Sequence, residues 1–268
     1  GAPAGVRMAL KALLIDIDGT LIFRGEAIVG ANRALQEAVE AGLAVRLLTN
    51  ISARLPHHIA AGLRAGGILV PEDAIQTAGM ACSAHIRGQP GASCHLLVPD
   101  AMAGLFEGIR RDDRQPDFVV IGDVAERFDY ALLNDVFRML RDGARLVVPH
   151  RNLYWFDGEG PARLDAGAFI VGLEAAAGQT AVVTGKPSPV FFQAALDAVG
   201  VTADEALVVG DDLLTDIEGA RASGIASVLV RTGKGETPRA SEAAAPSAEL
   251  QSIAGLMPYL RDAGHLAR

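Results

Sequence analysis

Short β-rich runs alternate with longer amphipathic segments along most of this chain, and that order leaves few folds open. Residues 10–17 read as a strand, 32–40 as a helix that stops at Gly42, 43–48 ("LAVRLL") as a strand, and 54–65 as a helix running into "GG". A β-α-β-α order calls for parallel strands joined by right-handed crossovers. A second set follows, with strands at 94–99, 117–123 and 144–150 and helices at 101–110, 131–141 and 165–178. A third set has strands at 180–185, 205–211 and 226–233, with helices at 189–199 and 215–222 between them. The polar, Ala/Pro-rich stretch 234–249 reads as a loop, and 251–262 as a short closing helix.

In an open parallel sheet, ligands gather at the carboxyl ends of the strands. The residues that follow each strand therefore matter most. The first strand runs "LLIDIDGTL" and ends in Asp16 and Asp18, one residue apart. Alternation along a strand lets both carboxylates face one site. Two like charges that close repel, and burial adds a desolvation cost, so a counter-charge is required. Thr49-Asn50 follows the second strand. Gly185-Lys186-Pro187 follows "TAVVT", and Gly210-Asp211-Asp212 follows "ALVV", with Asp216 a turn further on.

Acids this dense call for a cation, and oxygen donors without His or Cys fit Mg2+ better than zinc. Lys186 and Thr49 suit an anionic substrate, and a phosphoryl group bridged to Mg2+ satisfies both signs of charge. The acidic pair supplies a nucleophile and an acid/base. Some of these residues also have plainer readings. Asp211 can cap the helix that follows it, and Asp212 and Asp216 suit the first turn of any helix. No Gly-x-Gly-x-x-Gly follows the first strand, which argues against dinucleotide binding.

Composition narrows the class further. The chain has 268 residues, half of them apolar, and a net charge of −8. That supports a real core and lacks the basic footprint of a nucleic-acid binder. No run of about 18 apolar residues appears, so no membrane partner is expected. The N-terminal "GAPAGVRMALKALLIDID" does not read as a signal peptide, because its apolar run goes straight into the acidic pair. Cys82 and Cys94 read as buried small hydrophobes, and two cysteines fit a reducing, cytoplasmic compartment. His57 and His58 fall on an exposed helix face with no ligand role expected. Asp123, His150, Arg151 and Asn152 follow strands of the second set and read either as solvated loop residues or as groups facing the site. Tyr154 and Trp155 read as packing residues before substrate-stacking ones.

The ordered set "DIDGT", "LLTN", "GKPSP" and "VVGDDLLTDIEGA" resembles the haloacid dehalogenase (HAD) superfamily, in particular its aspartate-nucleophile phosphatases. The resemblance implies an α/β fold: a Rossmann-like parallel-sheet core with an inserted α/β cap domain. It further implies that Asp16 is the nucleophile and becomes an aspartyl phosphate. Asp18 would protonate the leaving group and then deprotonate water. The Asp16 side chain, the Asp18 backbone carbonyl and the Asp211 side chain would hold Mg2+. Thr49 and Asn50 would bind the transferring phosphoryl group, Lys186 would neutralise nucleophile and phosphate, and Asp216, with Asp212, would hold metal-bound water. True dehalogenases of the superfamily lack the second acid, so Asp18 argues for phosphoryl transfer.

The short gap from Asp18 to Thr49 and the long one from Asn50 to Lys186 place the cap at 78–179, with 1–77 and 180–268 as the core. Its β-α-β content resembles the C2a cap of the NagD-like subfamily IIA. That implies small-molecule phosphate esters as substrates and a homodimer through the cap. Many relatives read Thr-Asn-Asn where this chain has Thr49-Asn50-Ile51, and Gly-x-Gly where it has Asp165-Ala166-Gly167. Two other functions fit the same motifs: a phosphotransferase (mutase), and a non-catalytic phosphate- or metal-binding module.

Overall fold

The computed structural model describes residues 9–156, 158–233 and 245–266. Most of the loop expected at 234–249, and the N-terminal stretch before residue 9, lie outside the described residues. The chain divides into two units. One comprises residues 1–49, 56–76 and 186–268, the other residues 50–55 and 77–185. The architecture is the expected α/β one, a Rossmann-like parallel sheet with a second α/β unit inserted in the chain. Among the described residues, no helix is long and apolar enough to cross a membrane.

The first unit is built on a six-stranded sheet. Its order is Ala248–Leu250, Ala226–Val230, Ala206–Gly210, Ala12–Asp16, Ala44–Thr49 and Ile75–Thr77. Ala12–Asp16 lies at the centre and pairs parallel with both neighbours. Every residue of Ala12–Asp16 and of Ala206–Gly210 is buried. That is why these segments read as unbroken apolar runs and not as alternating ones. The register sets Asp16 opposite Leu48 and Ile15 opposite Val209. The carboxyl ends of the three central strands are therefore level, and Asp16, Thr49 and Asp211 emerge at one edge.

The second unit carries a five-stranded parallel sheet in the order Val182–Val183, Arg145–Val148, Phe118–Ile121, Ser93–Leu97 and Arg110–Arg111. The strand expected before Lys186 does form, but Val182 and Val183 pair with Val147 and Val148. It therefore belongs to the second sheet, and the first unit resumes at Lys186, not at residue 180. The helix Ala78–Arg87, capped by Thr77 Oγ1 accepting from Met80 N, was not anticipated. Neither was the antiparallel hairpin of Tyr154–Phe156 and Ala162–Leu164. Tyr154 and Trp155 are not packing residues: all six strand residues of that hairpin are exposed, and the Arg163 guanidinium lies over the Trp155 ring. His57 and His58 are exposed on Pro56–Ala65, and both cysteines are buried and free.

Candidate active site

The strand Ala12–Asp16 stops at its first acid. Asp16 is buried, at 6% exposure, whereas Asp18 lies beyond the strand and is exposed. Strand alternation therefore does not set the direction of Asp18. Its position comes from a turn in which Gly19 takes φ +85° and its N–H donates to the Ile22 carbonyl at 2.7 Å. Glycine takes that conformation without strain.

Around Asp16 the first unit assembles a buried charged cluster. Lys186 Nζ donates to Asp16 Oδ1 at 2.7 Å and to Asp216 Oδ1 at 2.6 Å, and all three side chains are almost fully buried. Thr20 Oγ1 donates to Asp16 Oδ2 at 3.3 Å and lies 3.5 Å from Asp211 Oδ1. Carboxylate oxygens of Asp16, Asp211 and Asp216 all fall within 4.8 Å of one another.

Asp216 reaches inward from a π-helical turn, Leu213–Glu218. Such turns are rare and frequently fall at functional sites. Asp212 Oδ1 accepts from Leu214 N and Thr215 N, so this carboxylate caps the turn, while the Asp212 N–H donates to Asp216 Oδ2 at 3.2 Å. The plain capping role considered for Asp211 thus falls to its neighbour. Gly210 makes room for Asp216, since a Cβ there would lie 2.3 Å from the carboxylate.

Burial pushes the Asp16 carboxyl up to about 7 despite the pull of Lys186. Burial, with the Asp16 charge next in size, pushes Asp216 up to about 7. For Lys186, burial opposes the charge, but Asp216 and Asp16 together outweigh it and hold the ammonium above the ordinary lysine range. Pairing with one lysine therefore does not meet the full cost of burying these acids as anions. A divalent cation among the three carboxylates would, and the donors are oxygens only. The residues present fit such a group.

Thr49 is buried at the end of its strand, in the first unit. Asn50 is exposed and begins the second unit. In that unit the other residues that follow strands are tied locally. Asp123 Oδ1 accepts from Ala125 N, and His150 Nδ1 accepts from Asn152 N. Arg151 pairs with buried Glu174 at 2.6 Å, and Asp165 Oδ1 lies 3.8 Å from His150 Nε2. Two residues near the acids had drawn no role from the sequence. Thr20 stood inside a quoted motif. Gly210 ends a buried strand and stood in another, as the residue before Asp211.

The residues of this cluster fall within segments that match known families. Residues 13–109, which include Asp16, Asp18 and Thr49, match the haloacid dehalogenase-like hydrolase family. Residues 183–256, which include Lys186, Asp211 and Asp216, match a HAD-hydrolase-like family. Haloacid dehalogenase-like hydrolase domain-containing protein 2 of Bos taurus is 36% identical over 228 residues, covering 85% of this chain and 86% of that protein. Among solved structures, NagD from E. coli K-12 matches with a TM-score of 0.80 at 28% identity, over 92% of this chain and 98% of that one. A glycerol phosphate phosphatase from Mycobacterium tuberculosis, solved in complex with magnesium, matches with a TM-score of 0.75 at 28% identity, over 92% of this chain and 76% of that one. The chain belongs to the haloacid dehalogenase-like hydrolases, among their NagD-like phosphatases.

Proposed function

We propose that this chain is a Mg2+-dependent phosphatase of small-molecule phosphate monoesters that works through an aspartyl phosphate on Asp16. One observation carries the reading. Three buried carboxylates lie together, and one buried ammonium bridges two of them at 2.7 and 2.6 Å.

Asp16 is the nucleophile. Lys186 holds one of its oxygens and Thr20 the other, so its carboxylate is oriented before substrate arrives. Asp18, exposed beside it, is the acid that protonates the leaving oxygen and then the base that takes a proton from the attacking water. Thr49 and Asn50 contact the transferring group, and Lys186 offsets charge on nucleophile and phosphoryl oxygens. The Asp16 and Asp211 carboxylates and the Asp18 carbonyl would hold Mg2+, with Asp216 and Asp212 toward its water. When bound, the ion supplies electrophilic stabilisation of the phosphoryl oxygens. The magnesium in the mycobacterial relative supports the choice of metal. The second unit is the C2a cap in this reading, and two free, buried cysteines agree with a reducing, cytoplasmic compartment.

The test is phosphate release from 4-nitrophenyl phosphate. Release should require Mg2+, stop with EDTA, and fall by at least about 1000-fold in Asp16→Asn. A near wild-type rate in that variant would sink the proposal.

A further inference from the structure

A fifth loop reaches the same edge of the first sheet. It follows the strand Ala226–Val230, and none of the roles above uses it. Thr232 Oγ1 donates to the Gly19 carbonyl oxygen at 2.6 Å. Gly233 has φ +56°, and a Cβ there would lie 2.4 Å from Asp211 Oδ2 and 2.7 Å from Gly19 Cα. A Cβ on Gly19 would lie 2.2 Å from that same Asp211 oxygen. The Asp211 carboxylate is thus lodged between two glycines brought together from distant parts of the chain. Both have φ values that L side chains adopt only with strain.

We infer that Thr232 and Gly233 fix the Asp18–Gly19 turn against the Asp211 carboxylate, making Thr232 a positioning residue for the metal ligands. The inference rests on the function proposed above. A glycine turn has more conformations open to it than any other. Here the turn carries the Asp18 carbonyl on one side and abuts Asp211 on the other. A hydrogen bond on the Gly19 carbonyl removes most of that freedom, and Gly233 closes the remaining space beside Asp211. Partners one step removed from a metal commonly alter its affinity by about 10- to 100-fold.

The experiment is calorimetric titration of the full chain with MgCl2 in the absence of substrate, beside thermal unfolding without metal. Thr232→Val keeps the shape and removes the hydroxyl. It should weaken Mg2+ binding by about 10-fold, with an unfolding midpoint close to wild type. Thr232→Ser should restore the affinity. With 4-nitrophenyl phosphate, Thr232→Val should need more Mg2+ for half-maximal rate yet approach wild-type kcat at saturating metal. Gly233→Ala should bind Mg2+ more weakly still, and the Val/Ser pair decides the matter if that variant does not fold. Wild-type affinity in Thr232→Val, or a Thr232→Ser as weak as Thr232→Val, would overturn the inference alone. A wild-type chain that binds no Mg2+ would overturn the proposed function, and this inference with it.

Discussion

The two parallel sheets of this protein are built alike and used differently. Both bury apolar strands, and both bring charged residues to the ends of those strands. In the second unit the charges are spent close by. Asp123 closes its own turn, and Arg151 pairs with Glu174, which also accepts from Ala181 N at 2.6 Å. In the first unit Asp16 meets Asp211 and Asp216 from the segment after Ala206–Gly210, and one buried lysine bridges Asp16 and Asp216. Among the described residues this is the only cluster of such groups that could hold a metal. A parallel sheet therefore supplies an edge where chemistry can sit. Whether it does depends on whether charges are gathered faster than they are neutralised.

The sharpest way to break this contrast is to remove the cation from each. Lys186→Met leaves two buried carboxylates facing each other and should cost about 3–5 kcal/mol, as well as phosphatase activity. Arg151→Met should cost less, about 1–3 kcal/mol, because the arginine is 42% exposed and water already screens the pair. Chemical denaturation measures both, and equal costs would erase the distinction. The apolar layers should not differ: Leu14→Ala and Leu146→Ala, each fully buried on an interior strand of its sheet, should each cost about 2–5 kcal/mol.

Much of this was legible in the sequence, for physical reasons that differ by residue. Asp16 ends, and Asp211 follows, a strand buried throughout whose apolar run is conspicuous, and Thr49 ends a neighbouring strand made level with them by parallel pairing. What the sequence leaves open is which strands are neighbours. Val182–Val183 has the composition of a core strand and pairs in the other sheet, because local pattern sets strand character and not partner. Ala78–Arg87 escapes notice because its small residues give almost no apolar stripe, and six of its ten positions are buried. The exposed "YWF" of the hairpin misleads in the opposite sense, since aromatic residues usually mark a core. Thr232 and Gly233 were within reach: the rule that pointed to the other loops applies equally to "RTG" after Ala226–Val230.

Smaller effects sharpen the comparison further. Gly210→Ala should destabilise the first unit by about 1–3 kcal/mol, since its Cβ would meet the Asp216 carboxylate at 2.3 Å. Gly172→Ala, inside a helix of the second unit with open space beside it, should stabilise by about 0.5–1 kcal/mol. A pH-dependent effect belongs to Glu205, at the opposite end of the strand that leads to Asp211. Lys11, with the Thr202 N–H and hydroxyl, holds its carboxyl down at about 2, from a usual value of 4.5. Because the folded pKa is the lower one, its stabilisation is complete above pH 4.5 and is lost as pH falls toward 2. Unfolding followed across that window should show the slope in wild type and a shallower one in Glu205→Gln.

The central claim is that the gathered carboxylates exist to make Asp16 a nucleophile. Quenching the enzyme during turnover of 4-nitrophenyl phosphate and reducing it with borohydride converts an acyl phosphate to homoserine, which peptide mass spectrometry can locate. The account predicts homoserine at position 16 and at no other acidic residue. Turnover in the same sample with an unmodified Asp16, or with the product at another residue, would contradict it.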